Sequence, residues 1–244
     1  MGIAEIRSIY GNDYADSYND LYLLGENFRE CTEYEISEIG CLLEPKSKWL
    51  DVACGTGYML SRIPEVERAG LDISPSMLSL ARRANPDSVF VEGDFRVGVP
   101  KWNGQWNLVS LTWYAYCYAE TMSGVERVLS NLVAWTSKNG ACFLPVCDPD
   151  VLCKTAIPRQ PPSDSTDGQL LISALIWEWI DEPSKKRHKD MIAPHIDWML
   201  SFFERHFHQV HLLTYPGFKA DCMFARKAII AREKRVGEIG PGSD

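Results

Sequence analysis

The sequence predicts an α/β fold in which a mostly parallel sheet carries helices on both faces. Three observations predict it. Strand-like apolar runs alternate with helical stretches from about residue 48 onward, a glycine-rich turn follows the first run, and three successive runs end in or just before an acid. Alternation of this kind implies crossover helices, and these cover a parallel sheet on its two faces.

Residues 13–43 read as helices. Tyr14, Tyr18, Leu21 and Tyr22 recur at helical spacing, and Tyr34, Ile36, Ile39, Leu42 and Leu43 build a second apolar face before Pro45. Tyr10, Tyr14 and Tyr18 form a stripe of the kind that is normally core. Strands are expected near 48–53, 67–72, 88–92, 107–112 and 140–147, with helices near 57–63, 75–84 and 123–136. The first strand runs through Asp51 into Ala53-Cys54-Gly55-Thr56-Gly57. Gly55 and Gly57 let the chain bend sharply and approach a ligand, while the next helix directs unpaired N–H groups into the same space. The second run ends at Asp72, where a carboxylate suits both hydroxyls of a ribose. The third ends with Glu92-Gly93-Asp94-Phe95. Acids seldom end three buried strands without a ligand to meet.

Composition fits one sizeable core plus an insertion: 244 residues, 45% hydrophobic and 24% charged. No apolar run approaches membrane-spanning length, and residues 1–7 lack the basic-then-apolar profile of a secretory signal, so no membrane association and a cytoplasmic location are expected. A formal charge of −8 argues against nucleic acid as a partner. The Lys185–Lys189 run reads as a solvated turn. Cys31, Cys41, Cys54, Cys117, Cys142, Cys147, Cys153 and Cys222 form no C-x-x-C pair and are expected to be reduced thiols.

The stretches D-x-A-C-G-T-G at 51–57, G-L-D-I-S-P-S-M-L-S-L-A-R at 70–82, E-G-D-F at 92–95 and W-N-L-V-S-L-T at 106–112 resemble the class I S-adenosylmethionine-dependent methyltransferases in residues and order. The nicotinamide fingerprint G-x-G-x-x-G is absent. Ala53 stands where many members carry a glycine. The resemblance implies a Rossmann-like class I methyltransferase fold with a seven-stranded, mostly parallel sheet whose last strand is antiparallel. It implies S-adenosylmethionine as cofactor: the turn Asp51, Ala53, Cys54, Gly55, Thr56 and Gly57 around the methionyl part, and Asp72 on the ribose. Ile73 and Met77 would lie beside the adenine, Gly93, Asp94 and Phe95 at its amino edge, and Leu111 and Thr112 near the sulfonium. An N-terminal helix commonly closes over the cofactor in this family, which adds Tyr14 to the cofactor residues and Tyr18 to the acceptor residues.

The organisation expected is an N-terminal helical cap (1–44), a cofactor-binding core (45–147), an inserted substrate flap (148–198), a last helix and closing hairpin (199–230) and a flexible tail (231–244). The helix would end at Phe202–Phe207, and the hairpin would pair Gln209–Thr214 with Cys222–Ala228. Within the insertion, loop signals at 158–168 precede an extended run at 170–179, and a second extended run at 190–198 follows a turn at 182–189. These would form an auxiliary antiparallel flap, either covering the substrate or serving as a structural lid or dimer contact. In length and in aromatic and histidine placement it is similar to the auxiliary layer of bacterial methyltransferases that act on the amino groups of nucleotide-linked deoxysugars.

Methyl transfer is an in-line displacement that needs alignment rather than a covalent nucleophile. Trp113, Tyr114 and Tyr116 follow the fourth strand, and Trp177 and Trp179 lie in the flap; aromatic faces there suit a sulfonium or ammonium. For a base, His195 is the first choice, then His188 and Glu178, while His206, His208 and His211 read as surface positions. Asp148 and Asp150 stand where some catechol methyltransferases bind magnesium, but the rest of that pattern is missing and no metal is expected. The reading is a small-molecule methyltransferase acting on an amine or amino-sugar nitrogen. A hydroxyl or carboxylate acceptor is the alternative, and a cofactor-binding scaffold without turnover is the alternative of another class.

Overall fold

The computed structural model describes residues 2–153, 173–217 and 226–235. The chain opens with α1 (Ile3–Ile9), α2 (Asn12–Tyr18), a π-helical turn at Asn19–Leu23 and α3 (Arg29–Cys41). The alternating part follows: β1 (Lys48–Val52), α4 (Tyr58–Ser61), β2 (Glu67–Asp72), α5 (Pro75–Ala84), β3 (Val89–Glu92), β4 (Trp106–Leu111), α6 (Met122–Trp135) and β5 (Thr136–Val146). After α7 (Pro149–Leu152) come β6 (Ala174–Asp181), β7 (Lys186–Pro194), α8 (Ile196–Glu204), β8 (Phe207–Tyr215) and β9 (Arg226–Lys234).

Seven strands form one sheet in the order β3-β2-β1-β4-β5-β9-β8, with β6 and β7 as a separate two-stranded sheet. Pairing is parallel from β3 to β5, and β9 runs antiparallel to both β5 and β8. The chain proceeds outward in one direction from β1 and in the other from β4, so the crevice for a ligand lies at their carboxyl ends. This is the seven-stranded Rossmann-like architecture of the class I methyltransferases.

Strand alternation builds a core on each face. Leu50, Val52, Cys142, Leu144, Ile229 and Ala231 face α1, α6 and α8, while Trp49, Ala141, Phe143, Ala228 and Ile230 face α3 and α4. Each fully buried large apolar side chain contributes on the order of 2 kcal/mol. Helix starts are set by side-chain caps. Ser74 Oγ accepts from Met77 N at 3.2 Å with Pro75 in the first turn, and Thr121 Oγ1 accepts from Gly124 N at 3.0 Å. Among the described residues no helix is long and apolar enough to cross a membrane. The cysteines among them (Cys31, Cys41, Cys54, Cys117, Cys142, Cys147 and Cys153) are free thiols.

Three expectations need correction. The last helix, Ile196–Glu204, ends within the expected Phe202–Phe207 but starts inside the run expected to be extended at 190–198, and β9 runs to Lys234, past the expected end of ordered chain at Ile230. The register explains the extension, because Ala231 is buried opposite Cys142 and Arg232 still pairs with Gln209. Cys222 and the 158–168 loop lie outside the described residues. The flap does form, but its turn is only Glu182–Lys185, and most of the charged run belongs to β7. Arg187 and Lys189 face solvent while His188 between them is fully buried. A strand can therefore carry a basic run when alternate side chains meet water.

Candidate active site

The glycine turn at the end of β1 is held in left-handed backbone, with φ of 55° at Ala53, 54° at Gly55 and 70° at Gly57. Ala53 adopts a conformation that disfavours any Cβ, and glycine would relieve it. A Cβ on Gly55 would meet nothing within 4 Å, so the turn fronts open space there. Cys54 is buried, with its N–H donating to Leu71 O at 3.1 Å, and Thr56 Oγ1 donates to Asn19 Oδ1 at 2.6 Å.

Asp51 is buried beneath the turn. Its Oδ1 accepts from Ser110 Oγ at 2.6 Å, and Ser110 accepts in turn from Trp49 Nε1 at 2.8 Å. Its Oδ2 is buried with no hydrogen-bond partner among the described residues. Burial pushes the Asp51 carboxyl up to about 7, with Asp72 and Glu35 adding to the rise and the Ser110 hydroxyl opposing it. Asp72, at the end of β2, accepts from Gly55 N through Oδ2 and from Ser74 N through Oδ1, both at 2.8 Å. Burial raises its carboxyl above the ordinary range while those backbone donors pull it back. Each of its oxygens retains a lone pair for a further donor.

The remaining cofactor candidates sit around these two acids. Met77 is buried among Tyr14 and Tyr22, and Ile73 and Phe95 are half-buried against the core. Gly93 N donates to Asp72 O at 2.9 Å. Leu111 and Thr112 are buried at the end of β4. Asp94 differs from expectation: Arg96 Nε lies 3.0 Å from both carboxylate oxygens and Arg96 N donates to Oδ1, so its carboxylate is engaged with a guanidinium. Asp148, at the end of β5, is engaged by Lys227 Nζ at 2.6 Å.

Rings cover this end of the sheet. Tyr10, Tyr14, Tyr18 and Tyr22 pack edge-on or tilted down one side of the N-terminal segment, with centroids 5.4 Å apart for Tyr10–Tyr14, 5.8 Å for Tyr14–Tyr18 and 5.2 Å for Tyr18–Tyr22. Trp179 reaches Tyr22 at 5.9 Å and stacks on His188 at 4.7 Å. Tyr10 Oη lies 3.0 Å from Tyr118 Oη, which also hydrogen-bonds to His188 Nδ1. The N-terminal cap, the loop after β4 and the flap thus meet through one chain of polar atoms. Burial pushes the His188 imidazole down to about 4, so it is neutral at physiological pH. Its Nε2 is buried with no partner among the described residues.

Three expected site residues lie elsewhere. His195 caps α8 rather than lying in the flap strand: its Nδ1 accepts from Asp197 N at 3.2 Å. Glu178 faces outward and pairs with Arg187 on the neighbouring strand. Tyr116 is fully buried, with its hydroxyl accepting from Cys147 N at 2.7 Å, so it is a packing residue. Trp113 and Tyr114 follow the end of β4, both with positive φ, at 56° and 57°. Trp177 packs half-buried against the core beside Trp179.

Several site residues escaped sequence reasoning. Tyr22 and Tyr118 join the ring cluster, and Tyr22 continues a four-residue spacing that was legible. Glu35 and Arg226 form an ion pair beneath Trp113 and Tyr114, and nothing local in the sequence marks either.

Comparison with known proteins agrees with this architecture. Residues 50–140 match a family model described as a methyltransferase domain. The chain is 26% identical over 147 residues to the dTDP-4-amino-2,3,4,6-tetradeoxy-D-glucose N,N-dimethyltransferase of Saccharopolyspora spinosa, covering 58% of this chain and 57% of that one. It is 38% identical over 94 residues to the dTDP-3-amino-3,4,6-trideoxy-alpha-D-glucopyranose N,N-dimethyltransferase of Streptomyces venezuelae, covering 36% and 38% of the two chains. The match thus spans only part of each relative's length. The solved structure of the N-methyltransferase NodS from Bradyrhizobium japonicum, in complex with S-adenosyl-L-homocysteine, shares the fold with a TM-score of 0.60 at 13% identity, over 93% of this chain and 100% of that one. Residues 50–140 thus match the methyltransferase domain model, and the chain carries them on the class I methyltransferase fold.

Proposed function

We propose that this chain transfers a methyl group from S-adenosylmethionine to a small-molecule acceptor, and that the acceptor atom is the nitrogen of an amine or amino sugar. The observation that carries the reading is Asp72, held between the N–H groups of Gly55 and Ser74 at the carboxyl edge of the sheet, beside the left-handed turn of β1. A buried acid at that point suits ribose hydroxyls, and the partnerless Asp51 Oδ2, buried beneath the turn, suits a cationic amino group. These residues fit the cofactor.

When bound, S-adenosylmethionine supplies a methyl group on a positively charged sulfur. The chain's own part is binding, orientation and exclusion of water. Asp51 and the turn at Ala53–Gly57 would hold the methionyl end, Asp72 the ribose, and Ile73, Met77, Gly93 and Phe95 the adenine, with Tyr14 closing over it and Leu111 and Thr112 lining the floor. The carboxylate of Asp94 would fix Arg96 and leave the adenine edge to neighbouring main chain. Tyr18, Trp113, Tyr114, Trp177 and Trp179 offer aromatic faces that favour a cationic centre over a neutral one. His188 is neutral at physiological pH and so does not repel a cationic acceptor, but an imidazole pushed down to about 4 is a weak base for an ammonium, and its part is to hold the Tyr118 hydroxyl in place.

Nitrogen as the acceptor atom is supported by the names of the two relatives, both N,N-dimethyltransferases of nucleotide-linked amino sugars. The test is transfer of labelled methyl groups from S-adenosylmethionine to a panel of free amines and amino sugars and to their N-acetylated counterparts. Label should pass only to the free amines. Equal labelling of the acetylated compounds would overturn nitrogen as the acceptor atom.

A further inference from the structure

Behind the glycine turn lies a buried polar chain with no expected counterpart in the sequence. Asn85, at the end of α5, is 1% exposed and sends Nδ2 to Gly57 O at 3.0 Å and to Ala81 O at 3.2 Å. Its Oδ1 accepts from Arg68 Nη1 at 2.8 Å, and the same Nη1 donates to Leu60 O at 2.9 Å. Arg68 is 9% exposed, lies on β2 four residues before Asp72, and makes no ion pair among the described residues.

The guanidinium carries only donors, so the amide oxygen of Asn85 must face it and the amide nitrogen must face the turn. Arg68 thereby fixes which end of Asn85 meets Gly57. The contact is tight: a Cβ on Gly57 would lie 2.8 Å from Asn85 Nδ2 and 3.0 Å from Ala81 Cβ. Gly57 O also accepts from Ser61 N at 3.0 Å, and Gly57 N donates to Cys54 O at 2.9 Å. The far end of the turn is thus fastened by Asn85 to α5, which carries Met77, and by Arg68 to β2, which carries Asp72.

We propose that Asn85, oriented by Arg68, is a positioning residue that holds the 53–57 turn in its ligand-ready conformation and so sets the affinity for the adenosyl cofactor. This rests on the cofactor reading above. A turn ordered in advance spares the ligand the cost of ordering it, and loss of the Asn85 donor, which leaves the Gly57 carbonyl with Ser61 N alone and frees the turn from α5, is enough to change a binding constant by about tenfold.

The test uses S-adenosylhomocysteine binding by calorimetry together with thermal melting, on the wild type, Asn85→Ala and Asn85→Asp. Asn85→Asp is the deciding variant. It keeps an oxygen for Arg68, now with a charge pair, so the fold should melt near the wild-type temperature; its second oxygen faces the Gly57 carbonyl and repels it. The expected result is affinity weakened about tenfold in both variants, with Asn85→Asp still folded. Wild-type binding with Asn85→Asp within twofold of it would overturn the proposal alone. Failure of Asn85→Asp to fold would make Asn85 a structural residue and overturn it equally. No binding to the wild type would bring down the cofactor reading and this proposal with it.

Discussion

Arg226 on β9 and Glu35 on α3 form an ion pair inside the protein, with Nη2 3.2 Å from Oε1 and neither side chain more than 2% exposed. Tyr215 donates to the same Glu35 oxygen at 2.5 Å, and Arg226 Nη1 donates to Cys31 Sγ at 3.4 Å. The guanidinium lies 4.6 Å from the Tyr114 ring centre and 5.1 Å from that of Trp113. Those two residues are consecutive and both left-handed, a backbone that costs roughly 1–2 kcal/mol per residue. The ion pair underpins the strained loop that follows β4.

Removing one member of a buried pair leaves the other charged and unsolvated, which costs about 3–5 kcal/mol. Arg226→Ala should therefore lose that much stability in urea denaturation. The double change Arg226→Met with Glu35→Leu should recover most of it, since replacing a whole buried pair with apolar groups is close to neutral. Arg226→Ala within about 1 kcal/mol of wild type would show that the pair is solvated.

Two buried groups give opposite pH slopes. Asp51 is pushed up to about 7, so between its ordinary value near 4 and about 7 the folded protein holds a proton that the unfolded chain has released. Its contribution is complete below pH 4 and is lost as pH rises through 7. His188 is pushed down to about 4, so between about 4 and 6.5 the unfolded chain holds the extra proton, and stability is lost as pH falls through that window. Each effect is on the order of 3 kcal/mol, and from pH 4 to 6.5 they oppose one another. Relative to wild type, Asp51→Asn should gain stability steadily from pH 4 to 7, and His188→Gln should lose the acid-side slope. Melting temperature against pH reads both; parallel curves for all three proteins would contradict the assignment.

His195 and His188 should separate cleanly. As a helix cap, His195→Ala should cost about 1 kcal/mol, and His195→Asp should restore it by accepting from the same backbone N–H, that of Asp197. Neither change should alter S-adenosylhomocysteine affinity. A loss of affinity in His195→Ala without loss of stability would return that histidine to the site.

What was legible in the sequence was local. The Asp51–Gly57 turn, Asp72 and the alternating strands declare themselves within a few residues, because bend, cap and period are properties of adjacent positions. The flap was legible as two extended runs, but its register was not. Lys185–Lys189 reads as a charge run until the pleat is known to turn His188 inward and its neighbours outward. His195 carried a readable signal that was missed: a polar side chain just before Ile196 with Asp197 in the first turn is a helix start. Glu35, Arg226, Arg68 and Asn85 were not legible, since each becomes a partner only after the sheet has closed.

The central claim is a cofactor site built on Asp72, and the most direct measurement is calorimetric binding of S-adenosylmethionine and S-adenosylhomocysteine to the wild type and to Asp72→Ala. The account predicts saturable binding of both by the wild type, weakened at least tenfold in Asp72→Ala, since the ribose would lose a charged acceptor. Wild-type protein that binds neither compound, or an Asp72→Ala variant that binds both as tightly as wild type, would contradict it.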